Sequence, residues 1–446
     1  MIVCAYFVLT ILAHLVAGEN YRLIFSHVIY RHGDRAPSGT FPKDKYQEEY
    51  WPMGWGQLTP KGVREQYDLG AYLRRRYSNF LSSNFSRDEI YIRSSDRDRA
   101  LESAQSNLAG LYPPQTQTEC NAWLDWRPIP IHAVAKQDDY LLQTDADSIC
   151  PAYQKAYKEQ STQYIEDLNS KHASLFAYLM NVTGLKKLDL TNVGDIYGAV
   201  SREKQQGWPV PDWVDRVWDE TKGETILEIL AELKRTERML EYNSLEKTKY
   251  MSGFLTGDII NRMKEKASGR LKKPTKMVMY SAHEGTVMGL LFALNIWNNK
   301  TVPYAGCLII ELHQSISEPA QYFVTVHYRN DTVDPFPLLP PACRPSTVAD
   351  LYCTLDVFEK SAEPVILYPA SKLEDACGMN KCARNDAVKT YDRTRGGRRD
   401  DICSSRASVF QRASKTMLSK LVVYKTMGST WIRLIVDFWS MSLAIC

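Results

Sequence analysis

The segment Leu23-Ile-Phe-Ser-His-Val-Ile-Tyr-Arg-His-Gly-Asp-Arg-Ala-Pro37 joins an apolar, β-branched run to a charged motif in which two arginines flank one histidine. Its apolar first half predicts a buried strand, and the change to charged residues at Arg31 predicts a loop at the strand's carboxyl end. Ligands bind at such strand ends in open α/β sheets. The guanidiniums of Arg31 and Arg35 suit phosphate oxygens, and a neutral His32 between them can attack phosphorus. A solvated surface or a structural ion pair is the alternative.

Two further strands are predicted to end in reactive side chains. Strand Glu89–Ile92 runs into the segment Arg93-Ser-Ser-Asp-Arg-Asp-Arg99, and strand Lys276–Tyr280 runs into Ser281-Ala-His-Glu284. Spacing alone does not rank the three arginines of the first segment, and ion pairing is the default for at least two of them. His283 could be a core histidine, and Glu284 could be a carboxylate favoured by the dipole of a helix first turn.

Together the three strand ends supply the groups that a covalent phosphomonoesterase needs. Such an enzyme requires a nucleophile, cations for the phosphate oxygens, and an acid that protonates the departing alcohol and then activates water. We expect His32 to be the nucleophile and Glu284 the proton donor. The predicted phosphate-binding residues are Arg31, Arg35, Arg99 and His283.

Strand patterns lie early and late in the chain, and long helical patterns occupy residues 150–270. Strands are predicted again at Cys307–His313 and Tyr322–Tyr328, whereas no convincing strand interrupts the helical segment. We therefore expect an α/β fold with a mixed, mostly parallel sheet flanked by helices and an inserted smaller helical domain. The predicted domains are 19–149 with 271–377 for the discontinuous α/β part, and 150–270 for the insertion.

The two ends of the chain have different compositions from the rest. Residues 1–18 are apolar and end in small residues, which predicts a secretory signal peptide. Residues 378–446 are basic and poor in apolar periodicity, which predicts a disordered tail. The apolar run at 431–446 is short and contains Arg433 and Asp437, so we do not predict a membrane anchor.

Composition and motifs favour a glycosylated protein of the secretory pathway, extracellular or lysosomal. A net charge of +3 over 446 residues gives no reason to expect a nucleic-acid partner. The ten cysteines lack paired metal-ligand spacing, so disulfides are expected rather than a metal site. Four sequons predict glycosylation, at Asn84, Asn181, Asn299 and Asn330.

The motifs at the three strand ends resemble those of the histidine acid phosphatases, specifically the animal prostatic and lysosomal branch. The likeness runs from about Tyr21 to Cys377 and includes the stretches Trp51-Pro-Met-Gly-Trp-Gly-Gln-Leu-Thr59 and Trp126-Arg-Pro-Ile-Pro-Ile-His132. It implies a histidine phosphatase or phosphoglycerate mutase-like fold. It also implies hydrolysis of small phosphate monoesters through a phosphohistidine, without a cofactor or metal.

The resemblance also carries specific residues. It implies that Arg99, rather than Arg93 or Arg97, binds phosphate. The implied disulfides are Cys150–Cys377 and Cys343–Cys353; Cys307 lacks its family partner, and Cys120 either substitutes or stays free.

Glu284 departs from the aspartate that is usual in the animal enzymes, as in some phytase-like relatives. Because it reaches one methylene further, the leaving-group preference is open. The alternatives are a phytase-like or lysophospholipid-directed phosphatase and a catalytically weak secreted phosphate-binding protein. The sequence leaves open whether two copies form a homodimer.

Overall fold

The central feature of the fold is a seven-stranded mixed sheet. The computed structural model describes residues 21–114, 126–142, 150–219, 222–330, 336–343 and 351–379. Residues 1–18 and all but the first two residues of the 378–446 tail lie outside this range, so both predictions stay open. The sheet strands are β1 (Tyr21–Arg31), β2 (Ile90–Ser94), β5 (Met277–Ala282), β6 (Cys307–Ser315), β7 (Tyr322–Arg329), β8 (Phe336–Leu338) and β9 (Cys353–Thr354).

The order of the strands brings distant parts of the sequence together. Strand β5 lies between β1 and β2 and runs parallel to both. Its Ala282 is in register with Arg31 of β1, and its Ser281 is in register with Ser94 of β2. The three strands therefore end at the same edge of the sheet, as the sequence predicts.

The mixed sheet is confirmed, but its parallel part is smaller than expected. Among the described strand pairings of this sheet, two are parallel and four are antiparallel. The antiparallel half arises because β6 and β7 are joined by a short connection, which allows only a hairpin. The description "mostly parallel" is thus wrong for the sheet as a whole and correct for the strands that carry the candidate site.

Helices cover both faces of the sheet. Alternate residues of β1 point to opposite sides, so that Phe25 and Ile29 belong to one apolar core and Val28 and Tyr30 to the other. The helices are α1 (Pro60–Arg76), α2 (Asp98–Leu111), α3 (Pro151–Lys171), α4 (Ala173–Thr183), α5 (Val193–Gln205), α6 (Ile226–Leu240), α7 (Leu245–Ala267), α8 (Glu284–Ala293), α9 (Leu355–Ala362) and α10 (Ala370–Cys377).

The segment 150–270 is helical, with one small exception. Strands β3 (Val217–Asp219) and β4 (Glu224–Thr225) form a two-stranded antiparallel sheet just before α6, where no strand was predicted. Helices α4, α5 and α6 share a separate apolar core, whereas α7 contributes Leu255, Ile259 and Met263 to the core on the sheet. The predicted domain boundaries at 150 and 270 stay a prediction.

Both disulfides implied by the resemblance are present. Cys150 is bonded to Cys377, and Cys343 to Cys353. Among the described cysteines, Cys307 is free and buried, and Cys120 lies outside the described residues. These bonds fit an oxidising compartment of the secretory pathway. Among the helices that the structure describes, none has the length and apolar character needed to cross a bilayer.

Two carboxyl groups meet where the loop after β1 contacts helix α5. Glu203 is fully buried, and Asp44 beside it accepts hydrogen bonds from the Thr40 hydroxyl and the Tyr46 backbone N–H. Burial, and then the neighbouring Asp44 carboxylate, raise the pKa of Glu203 to about 8. Glu203 is therefore protonated in the folded chain at pH values where an exposed glutamate is ionised.

This pair predicts a pH-dependent stability. Between about pH 4.5 and 8 the unfolded chain releases the Glu203 proton that the folded chain keeps, so the free energy of unfolding decreases as the pH rises. We expect Glu203→Gln, which cannot ionise, to raise the melting temperature at pH 8 and to have little effect at pH 4.5. The increase should be roughly 2–4 °C for each kcal/mol by which the substitution raises the free energy of unfolding. The exposed Glu49→Gln is the control, and a parallel pH dependence of wild type and Glu203→Gln would contradict the prediction.

Candidate active site

His32 lies at the carboxyl end of β1 and is nearly completely buried. Its Nδ1 is 2.8 Å from the Gly33 carbonyl oxygen, so Nδ1 donates its hydrogen and Nε2 keeps the lone pair. Burial, reinforced by Arg31 and the other positive groups nearby, holds the pKa of His32 well below its usual value. The imidazole therefore stays neutral, and nucleophilic, in mild acid.

The loop carrying His32 is fixed by an unusually close contact with helix α1. A Cβ on Gly33 would lie 2.2 Å from the Gly62 carbonyl oxygen, and a Cβ on Gly62 would lie 2.1 Å from the Asp34 carbonyl oxygen. The Thr59 hydroxyl donates to the Asp34 carboxylate at 2.6 Å, and the Asp34 N–H donates to Glu65 at 2.8 Å. Only glycine at both positions allows this approach, which holds His32 in place.

A cavity of about 220 Å³ opens beside His32, and the predicted residues from all three strand ends line it. The ring centroids of His32 and His283 are 5.5 Å apart. Arg35 is mostly buried, and burial together with neighbouring arginines lowers its pKa to about 9. The predicted site residues on this cavity are Arg31, His32, Arg35, Arg99, His283 and Glu284.

The structure separates the three arginines that the sequence could not rank. Arg93 turns inward and forms a buried ion pair with Asp139 at 2.7 Å, so its charge is compensated. Arg97 and Arg99 both line the cavity, and the charge of Arg99 acts on both His32 and His283. The choice of Arg99 for phosphate binding stays a prediction.

His283 and Glu284 stand at the start of helix α8. The Nε2 of His283 is 2.8 Å from the Ser95 hydroxyl, which fixes the ring relative to the strand β2 end. Burial and the nearby arginines hold the pKa of His283 well below its usual value. Burial raises the pKa of Glu284, but Arg31 at 3.5 Å and three further cations outweigh it and lower that pKa overall.

Tyr304, an aromatic residue that the sequence did not indicate, lies beside both His32 and Arg31. The guanidinium carbon of Arg31 lies 4.2 Å from the centroid of the Tyr304 ring, and the Tyr304 hydroxyl accepts hydrogen bonds of 3.0 and 2.6 Å from Arg202. Tyr304 thus links the loop before β6 to helix α5 and to Arg31. It follows Pro303 in an irregular loop with no periodic pattern, so no local signal identified it.

The model of the histidine phosphatase superfamily, branch 2, matches residues 22–329 of the chain. The chain belongs to this superfamily. The resemblance to the histidine acid phosphatases is therefore confirmed, and the fold class of the superfamily agrees with the mixed sheet described above.

Individual members of the superfamily extend the comparison. Prostatic acid phosphatase of Homo sapiens is 36% identical over 348 residues, which cover 77% of this chain and 86% of that protein. Lysosomal acid phosphatase of Homo sapiens is 36% identical over 349 residues, or 77% and 78% of the two chains. The solved structure of a phytase from Citrobacter braakii has a similar fold, with a TM-score of 0.60, 18% identity, and coverage of 80% and 100%.

Proposed function

We propose that this superfamily member is an acid phosphatase that hydrolyses phosphate monoesters through a covalent phosphohistidine on His32. The observation that supports this most strongly is the state of His32, a neutral imidazole whose Nδ1 is engaged by Gly33 and whose Nε2 lone pair is available beside a cavity lined with arginines. Arg31, Arg35, Arg99 and His283 would bind the three non-bridging oxygens of the phosphate.

In the first step Nε2 of His32 attacks phosphorus, the N–P bond forms, and the ester P–O bond breaks. The departing alcohol oxygen takes a proton from Glu284. In the second step water attacks the phosphohistidine, and the Glu284 carboxylate accepts a proton from it. The N–P bond breaks, inorganic phosphate leaves, and His32 and protonated Glu284 are regenerated.

The pKa shifts predict an acidic optimum. The lowered pKa of His32 keeps the nucleophile neutral in acid, while the proton-donor form of Glu284 becomes more populated as the pH falls. We expect hydrolysis of an aryl phosphate, measured from pH 3 to 8 with a chelator present, to be fastest below pH 7 and insensitive to the chelator. An optimum above pH 7, or loss of activity with the chelator, would overturn the proposal.

Tyr304 is proposed as a positioning residue for Arg31. Tyr304→Leu removes the ring beneath the guanidinium, and we expect kcat/KM to fall on the order of tenfold, mainly through KM. Tyr304→Phe keeps the ring and loses only the hydrogen bonds to Arg202, so its effect on a simple phosphate ester should be smaller. The inhibition constant of inorganic phosphate should increase more in Tyr304→Leu than in Tyr304→Phe. Equal changes of KM and of this inhibition constant in the two variants would contradict the positioning role.

We propose that the protein enters the secretory pathway through residues 1–18 and functions outside the cell or in lysosomes. The side chains of Asn84, Asn181 and Asn299 are exposed, and Asn330 is half-buried, which supports glycosylation of at least the first three. Release of N-glycans from the purified protein, followed by mass spectrometry, would test each site. The homodimer stays a prediction.

A further inference from the structure

A second cavity of about 490 Å³ lies against the catalytic cavity, on the side of Glu284. The two cavities share Arg31, Arg35, Arg238 and Glu284, so a molecule bound in one can extend into the other. Helices α5 and α6 form much of the outer wall of the second cavity.

Positive charge dominates this second cavity. Five cationic side chains line it, against two acidic ones. The cations are Arg31, Arg35, Arg202 of α5, and Lys234 and Arg238 of α6; the acidic residues are Asp195 and Glu284. Lys234 and Arg238 are partly compensated by ion pairs with Glu237 and Glu241, at 2.6 and 2.7 Å. The cavity thus carries an excess of cations.

Arg35 and Arg202 are the uncompensated members of this group. Neither forms an ion pair with any residue that the structure describes. Their mutual repulsion contributes to the lowered pKa of Arg35, for which Arg202 is the largest cause after burial. Mutual repulsion of partly buried guanidiniums destabilises the folded protein, and a bound anion would relieve it.

Two glycines of helix α5 make room for the cations. A Cβ on Gly194 would lie 2.5 Å from Cδ of Lys234, and a Cβ on Gly198 would lie 3.0 Å from Nη1 of Arg202. Both glycines line the cavity. Because glycine weakens a helix interior, their placement here is explained by the close passage of these two side chains.

The position of the cations relative to Glu284 indicates what they would contact. Arg202, Lys234 and Arg238 all act electrostatically on the Glu284 carboxylate. In the proposed reaction Glu284 protonates the departing alcohol, so the groups around it surround the leaving group. The Tyr304 ring centroid is 5.8 Å from that of His32 and 5.9 Å from the guanidinium carbon of Arg202, which places nucleophile and cation within reach of one small molecule.

We propose that Arg202 and Lys234 form a second anion-binding subsite for the leaving group, and that the preferred substrates are phosphate monoesters whose alcohol carries a second phosphate or a carboxylate. This inference rests on the proposed function, because the leaving-group side is defined by the roles of His32 and Glu284.

The test compares propyl phosphate, propane-1,3-diyl bisphosphate and 4-phosphonooxybutanoate as substrates of the full-length protein. We expect kcat/KM for the two substrates with a second anionic group to exceed that for propyl phosphate by roughly tenfold to a hundredfold. The bisphosphate has two scissile groups, which alone account for only about a twofold advantage. Lys234→Gln and Arg202→Gln should reduce this ratio by roughly tenfold. Any change in the Glu284 proton affinity affects all three substrates and cancels in the ratio.

Lys204→Gln is the matched control, because Lys204 is on the same helix as Arg202 but pairs with Asp215 at the surface. It should leave the ratio unchanged. Gly194→Ala, which displaces Lys234 without removing charge, should reduce the ratio as Lys234→Gln does. If propyl phosphate is hydrolysed well and its kcat/KM equals those of the two substrates with a second anionic group, the subsite proposal is wrong. The phosphatase proposal would then still stand.

Binding to the His32→Ala protein separates the two proposals further. Isothermal titration should give a tighter Kd for the bisphosphate than for propyl phosphate, and adding Arg202→Gln should remove the difference. A tighter Kd for the bisphosphate would support the subsite even if the wild type hydrolysed no substrate. Absence of hydrolysis would refute only the phosphatase proposal. Equal Kd values would overturn the subsite.

Discussion

His32→Ala is expected to abolish phosphate ester hydrolysis, with a loss of roughly four orders of magnitude or more. The alanine variant has no group at this position that can form the N–P bond. Water would have to attack the ester directly, without the pathway that divides the reaction into two easier steps. The wild-type protein, quenched in alkali during turnover, should carry phosphate on the peptide that contains His32. The variant should carry none.

The control must separate loss of the nucleophile from loss of the fold. His132→Ala removes an exposed imidazole that stacks on Tyr91 outside both cavities, and we expect it to retain activity. The melting temperature and circular dichroism of His32→Ala should show a folded protein that still binds inorganic phosphate. Activity above about one per cent of wild type in a folded His32→Ala protein would contradict the phosphohistidine mechanism.

The second large effect is expected at Glu284. Glu284→Gln keeps the size of the side chain but cannot donate the proton, so hydrolysis of an alkyl phosphate should fall by roughly 10²–10⁴-fold. An aryl phosphate, whose phenolate leaves more readily without protonation, should lose much less in the first step. Since the same variant also lacks the base for the second step, it should accumulate phosphoenzyme and release a burst of phenol.

Glu284→Asp tests the length of the side chain separately from its chemistry. Aspartate keeps the carboxyl group but withdraws it from the leaving oxygen, and a displacement of about 1 Å can cost on the order of a hundredfold. We expect an intermediate loss on alkyl phosphates and no burst. Equal losses of Glu284→Gln on alkyl and aryl substrates, with no burst, would show that Glu284 is not the proton donor.

The local part of the site was predictable from the sequence because each component follows its own strand. The pattern from Leu23 to Tyr30 indicated a buried strand, observed from Tyr21 to Arg31, and the charged residues after it marked its end. The apolar run before His283 did the same for β5. Parallel strands that end at one edge bring such residues together without any knowledge of the intervening chain.

The rest depended on contacts that have no signature in a short window. Nothing in its spacing shows that Arg93 turns towards Asp139, 46 positions later in the chain. Tyr304 comes from an irregular loop, and Lys234 lies on a helix whose periodicity indicates only which face is buried. The extent of antiparallel pairing was underestimated, because an apolar run shows the same pattern in a parallel and in an antiparallel buried strand.

The position of β5 between β1 and β2 has a consequence for biosynthesis. During translation β1 and β2 are synthesised early, but they are not neighbours in the folded sheet. Strand β5 (Met277–Ala282), which is synthesised much later, lies between them. His32 and Arg99 therefore cannot assemble a complete pocket with His283 until well over half of the polypeptide has been translated. A chain that stops before this strand yields no partially active enzyme, and catalysis begins only when the late strand has been inserted.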